Sequence, residues 1–73
     1  MKITTASEFG KLIRSTRIAA KMTQSELAAA AGVGERFLRE LEKGKSSCQL
    51  EKALLVAKML GIKFTAIMPV IEE

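Results

Sequence analysis

Histidine, tyrosine and tryptophan are all missing from this 73-residue chain, and cysteine and proline occur once each. Without histidine the commonest general base and metal ligand is gone. One cysteine, Cys48, can make neither an internal disulfide nor a multi-thiolate zinc site, and a lone thiol suits a reducing compartment. Three phenylalanines are the whole aromatic complement, which leaves no platform for stacking unpaired bases. Neither a leader-like N-terminal apolar run nor a run near the roughly 20 residues of a membrane span is visible. These shortages argue against catalysis, metal binding, any cofactor and membrane residence. They favour a soluble, cytoplasmic protein. Carboxylate pairs exist, such as Glu40 and Glu42, but residues two apart diverge on a helix and cannot act on one substrate atom.

What is present points to a folded domain, because 48% of the residues are hydrophobic. The length fits one domain, residues 1–73. A chain this small buries only about 60% of its unfolded surface, so association would help it. The net charge of +4 is uneven: five basic residues and one acid fall in residues 1–21, and the remainder is balanced. A basic excess suits an anionic partner and is also common on solvated surfaces.

Periodicity and capping signals predict four helices. Residues 5–21 carry Thr5 and Glu8 at capping-box spacing, and Phe9, Leu12, Ile13, Thr16 and Ala20 form an inward face. Lys11, Arg14 and Lys21 fall on the far side, Arg17 borders the apolar stripe, and Ile18 points outward. Thr23 caps a second helix, QSELAAAA, with Glu26 completing its box and Leu27, Ala28 and Ala31 inward. A third helix runs over Glu35–Lys43, with Leu38 and Leu41 inward and Gly44 as its stop. A fourth covers about 49–60, with Leu50, Ala53, Leu54, Ala57 and Leu60 inward and Leu55 and Met59 on the opposite side. Residues 1–61 thus form a helical core. The β-branched and aromatic tail beyond it reads as a strand over about 62–68, within a dimerisation segment 62–71, or as a fifth short helix. A lone strand leaves its backbone groups unpaired, so a two-fold dimer pairing the same strand from each chain is the economical solution. Leu55, Met59, Phe64, Ala66 and Met68 are the expected dimer contacts.

The second and third helices, joined at the glycine-bearing AGVG, have helix-turn-helix spacing. Thr23-Gln24-x-Glu26-Leu27-Ala28, Gly32-Val33, Leu41-Glu42-Lys43-Gly44-Lys45 and Leu50, Leu54, Ala57, Leu60-Gly61 resemble the Cro/CI (Xre) phage-repressor helix-turn-helix family. The likeness covers residues 10–62. It implies a mainly α, four-helix, lambda-repressor-like DNA-binding domain. VGERFLRELEKGK followed by CQLEKALLVAKMLGI is similar to the HipB-like antitoxin branch, small dimeric repressors paired with a HipA-like kinase toxin and ending in a strand that pairs across the dimer. The chain departs from the family at Gly34, where a hydroxyl cap is usual, at Phe37, where a small polar residue is usual, and at Cys48-Gln49, where Pro-Ser is common.

Gln24 stands where free helix N–H groups and an amide can hold a phosphate, and the resemblance implies that role too. Glu35, Arg36 and Arg39 lie on the exposed start of the third helix, which in this docking geometry meets base edges in the major groove. They can equally be a solvated face. Gly34 offers only its backbone to DNA. Lys43 and Lys45 suit the helix C-terminus and can also reach a phosphate. Phe37 can touch a thymine methyl or fold back onto the second helix. The resemblance implies a partly buried Arg17–Glu42 ion pair beneath the DNA surface. The expected partners are a palindromic double-stranded operator, a second copy of the chain and a HipA-like kinase toxin. The expected function is a sequence-specific, nucleoid-associated repressor, an antitoxin acting on its own operon. A phage or restriction-control regulator without a toxin, and a protein-interaction module that binds no DNA, are the alternatives.

Overall fold

The computed structural model describes residues 2–65, which form four helices: α1 Ala6–Ala19, α2 Gln24–Ala31, α3 Glu35–Glu42 and α4 Leu50–Met59. Two of them begin at reciprocal capping boxes. Thr5 Oγ1 accepts from the Glu8 N–H while the Glu8 carboxylate accepts from the Thr5 N–H, at 3.1 and 3.0 Å. Thr23 and Glu26 repeat the arrangement at 3.0 and 2.8 Å. Each box occupies two donors that the first turn of a helix would leave free. Gly34 and Gln49 start α3 and α4 with no side-chain cap, as the missing hydroxyls at those positions predict.

All four helices end alike. Lys21, Gly32, Gly44 and Gly61 adopt left-handed backbone conformations. At each, the left-handed N–H and the next N–H donate back into the last turn: Lys21 to Ile18 and Met22 to Arg17, Gly32 to Ala29 and Val33 to Ala28, Gly44 to Leu41 and Lys45 to Glu40, Gly61 to Lys58 and Ile62 to Ala57. This paired pattern satisfies carbonyls that a helix end would otherwise strand. Glycine adopts the conformation without a Cβ clash; Lys21 does so with one. Stopping there ends α1 at Ala19, two residues short of the expected Lys21.

The helices pack as α1 on α3, α3 on α2 and α2 on α4. Their core is Ile13, Leu27, Ala28, Ala31, Leu38, Leu41, Ala53, Val56 and Ala57, and Phe9, Met22, Val33, Phe37, Cys48, Leu60 and Ile62 pack against its rim. Gly10 explains how α1 comes so near the end of α3: a Cβ there would stand 2.9 Å from the Glu42 carbonyl oxygen, closer than side-chain atoms tolerate. The small Ala28 and Ala31 let α2 approach its neighbours in the same way.

The expected inner faces of α2 and α3 hold, since Leu27, Ala28, Ala31, Leu38 and Leu41 are all buried. Two others need correction. In α1, Ile13 is buried and Phe9, Leu12 and Thr16 are half-buried, but Ala20 is exposed, because it already belongs to the turn that ends the helix. In α4, Leu50 and Leu54 are 71% and 45% exposed, while Val56 is completely buried. The buried side is Ala53, Val56 and Ala57, with Leu60 at its edge. The true stripe is therefore rotated from the expected one. The apolar residues of LEKALLVAKM surround most of the helix, so periodicity could not fix its phase.

Ile18, Leu55 and Met59 are half-exposed, as expected. Residues 62–65 form neither helix nor strand, and Phe64 stacks on Phe9 of α1 with ring centroids 5.7 Å apart. The rest of the expected strand, including Ala66 and Met68, lies outside the described residues.

Candidate nucleic-acid interface

Gly32, with φ of 72°, lets the chain leave α2 and enter α3 within the short turn Gly32–Gly34. Val33 packs against the core, which seats the turn, and Leu38 and Leu41 press α3 onto α2. With those two inward, the 3.6-residue repeat turns Glu35, Arg36 and Arg39 outward, and all three are exposed.

Among the described residues one carboxylate is buried, that of Glu42 at the end of α3. Arg17 Nε donates to Glu42 Oε2 at 2.7 Å and its Nη2 donates to Oε1 at 3.0 Å, a two-pronged contact. The Arg17 Nη1 donates to the Met22 carbonyl at 2.9 Å. The Gln24 side-chain amide donates to Glu42 Oε1 at 3.0 Å. Glu42 therefore ties the end of α1, the α1–α2 turn and the start of α2 to the end of α3. The two charged side chains are 11% and 3% exposed, and among the described residues no buried side-chain N or O lacks a partner. The hydrogen bond from Arg17 to Glu42, with their mutual attraction, holds the guanidinium above its ordinary pKa against the opposing effect of burial.

The anchor changes what Gln24 can offer. One donor hydrogen of its amide is committed to Glu42, so the amide is held in place at the head of α2. The Glu26 N–H is taken by Thr23 Oγ1 and the Leu27 N–H by the Thr23 carbonyl. Among the described residues the N–H groups of Gln24 and Ser25 find no acceptor, and an anion is favoured at such a helix end.

A second carboxylate lies on the outer side of α3. Glu40 Oε2 accepts from Lys45 Nζ at 2.8 Å, and Glu40 Oε1 is 3.5 Å from Arg36 Nε. The hydrogen bond from Lys45, then the nearby positive charges of Lys45, Arg36 and Lys43, hold the Glu40 carboxyl below its usual pKa although burial opposes this. Arg39 makes no ion pair among the described residues. Lys43 is exposed just after α3, Lys11 and Arg14 are exposed along α1, and Lys21 is exposed in the turn that follows it.

Phe37, uncertain from sequence, packs against the core rim. Lys52 Nζ of α4 sits 5.8 Å from its ring centroid, and Cys48 and Gln49 line the shallow pocket beside it. The ring faces the start of α4. Phe37 and Cys48, two of the three departures from the family pattern, thus meet in one place. Gln24 as a partner of Glu42, Gly10 as the contact glycine and the shared pairing of Glu40 were not foreseen. Two of these had a local signal: Gly10, a glycine inside a strongly periodic helix, and Glu40, four residues from Arg36 on the same helix.

No described helix is long and apolar enough to cross a membrane. The family model described as helix-turn-helix matches residues 13–67. An uncharacterized HTH-type transcriptional regulator of Sinorhizobium fredii, y4mF, is 40% identical over 68 residues, spanning 93% of this chain and 90% of its own length. Among solved structures, a HipB–O4 20mer complex superposes with a TM-score of 0.84 at 20% identity, over 93% of this chain and 96% of that one. A second HipB complex, with an O2 20mer, gives 0.84 at 19% identity over 93% and 94%. At these identities the likeness is one of fold.

Proposed function

This chain belongs to the Xre-type helix-turn-helix family and is a DNA-binding transcriptional regulator rather than an enzyme, and on that premise we propose that it is a homodimeric, sequence-specific repressor, the antitoxin of a HipBA-like pair acting on its own operon. The observation that carries the reading is the outward set Glu35, Arg36 and Arg39 at the start of α3, held over the buried Arg17–Glu42–Gln24 anchor. Interactions made by residues on a braced helix lose little entropy on docking. Arg36 and Arg39 have the fork geometry that guanine O6 and N7 accept, and Glu35 can accept from cytosine N4. The free N–H groups at the head of α2, the backbone of Gly34, and Lys43 and Lys45 are suited to the flanking phosphates. Leu55 and Met59, with Phe64, Ala66 and Met68 of the tail, form the dimer contact. The work is cytoplasmic, on the nucleoid.

Selection from random duplex DNA tests the reading. A two-fold symmetric site with half-sites about one helical turn apart, or a multiple, is expected. No enrichment, or unchanged affinity in Arg36→Ala and Arg39→Ala at physiological salt, would sink the recognition-helix assignment. Deleting residues 63–73 should yield a monomer in the ultracentrifuge. A kinase-like gene beside this one, with its product co-purifying, distinguishes the antitoxin from a phage or restriction-control regulator, which the family membership supports equally.

A further inference from the structure

We propose that Glu40 is a specificity-determining residue, a built-in competitor for DNA that keeps Lys45 and Arg36 from binding arbitrary phosphates. The inference rests on the DNA-reading face described above and adds a role for a residue that face does not use. Two of the cations nearest the face share this one carboxylate: Lys45 through a 2.8 Å hydrogen bond, and Arg36, one turn back on the same helix, through a 3.5 Å contact. The two grips differ. Lys45 is held at hydrogen-bond distance and is half-exposed, whereas the Arg36 side chain is 87% exposed and comes no nearer to Glu40 than 3.5 Å, at Nε. The terminal nitrogens of Arg36, which fit a guanine edge, make no hydrogen bond among the described residues.

Magnitudes turn this geometry into discrimination. An exposed ion pair is worth up to about fivefold in an equilibrium constant. A well-placed arginine–guanine contact is worth about 5–150-fold, so Arg36 leaves Glu40 readily for the right base. A single lysine–phosphate contact gains no more than the pair it would replace, so Lys45 gains little by leaving for a random phosphate.

Glu40→Gln tests this by fluorescence anisotropy on the selected site and on a scrambled duplex of the same length, over a salt series. Affinity for the scrambled duplex should rise at least about threefold near 0.1 M salt, with a salt slope steeper by about 0.9, the signature of one added phosphate contact. Affinity for the selected site should rise less, so the specific-to-scrambled ratio falls. Adding Lys45→Ala to Glu40→Gln should cancel the gain in slope. Glu51→Gln, which removes the same charge from α4, should leave the ratio unchanged. An unchanged ratio in Glu40→Gln, or an equal change in Glu51→Gln, would overturn the role of Glu40 while leaving the DNA-reading assignment intact. Wild-type protein that binds neither duplex would overturn both, and that outcome is read without any variant.

Discussion

Glu40 and Glu42 sit two residues apart on one short helix and lead different lives. Two steps along a helix is about 200° around its axis, so one carboxylate faces inward and the other outward. Glu42 receives three hydrogen bonds from Arg17 and Gln24 in a nearly dry site. Glu40 shares two cations at the surface. A buried pair is costly to break because the abandoned charge has lost its solvation, while an exposed pair is exchanged for water at almost no cost. The same residue type thus braces the fold at one position and remains exchangeable at the other, which is where a ligand-responsive contact belongs.

The largest effect should come from breaking the inward member. Glu42→Ala should cost about 3–5 kcal/mol, because it strands the Arg17 guanidinium. That is a large share of the few kcal/mol available to a domain this size, and thermal unfolding by circular dichroism should show a fall of well over 10 °C or no cooperative transition. The contrast sharpens if both partners are replaced. Arg17→Met with Glu42→Leu should recover most of the loss, since a buried pair is often matched by apolar residues of similar volume; failure to recover would mean that the hydrogen bonds to Met22 and Gln24, rather than charge, hold this corner together.

On the outward side the order reverses between stability and binding. Arg39→Ala should weaken binding to the selected site by about 1–3 kcal/mol and leave the unfolding temperature nearly unchanged. Glu40→Gln should change stability by less than about 0.5 kcal/mol. A large loss in that variant would erase the distinction between the two carboxylates. Acid acts on the outward groups in a definite direction. The hydrogen bonds from Thr4 and Thr5 hold the Glu8 carboxyl below its usual value, as those around Glu40 do there. A group whose pKa is lower folded than unfolded stabilises above its unfolded value and loses that contribution as pH falls through the folded one. Unfolding temperature should therefore decline below about pH 5, and Glu8→Gln should flatten that decline. The smallest effect is a gain. Lys21 ends α1 in the left-handed conformation that glycine supplies for the other helices, and Lys21→Gly should stabilise by up to about 1 kcal/mol, read as a higher urea midpoint with the same slope.

Much of the fold was legible because its signals are local. Thr5 and Glu8, and Thr23 and Glu26, announce helix starts within four residues, and Gly32, Gly44 and Gly61 announce stops where a left-handed residue must follow. Leu38 and Leu41 fixed which side of α3 faces inward, and with it the exposed trio Glu35, Arg36 and Arg39. The fourth helix was misread because nearly every side of it is apolar, so only its neighbours could choose Val56 over Leu50 and Leu54. Phe37 was undecidable for a similar reason: its place depends on Lys52 and Cys48 of a different segment.

By itself, then, the sequence determined the four helices, the turn between α2 and α3 and the outward residues of α3, since capping, backbone handedness and the 3.6-residue repeat act over a few positions. The resemblance to known repressors supplied the Arg17–Glu42 pairing, which no local signal carries. Only tertiary structure decided that Gln24 completes that anchor, that Gly10 admits the end of α3 and which side of α4 is buried. Those outcomes depend on distances between side chains of different helices, which only the packing of those helices sets.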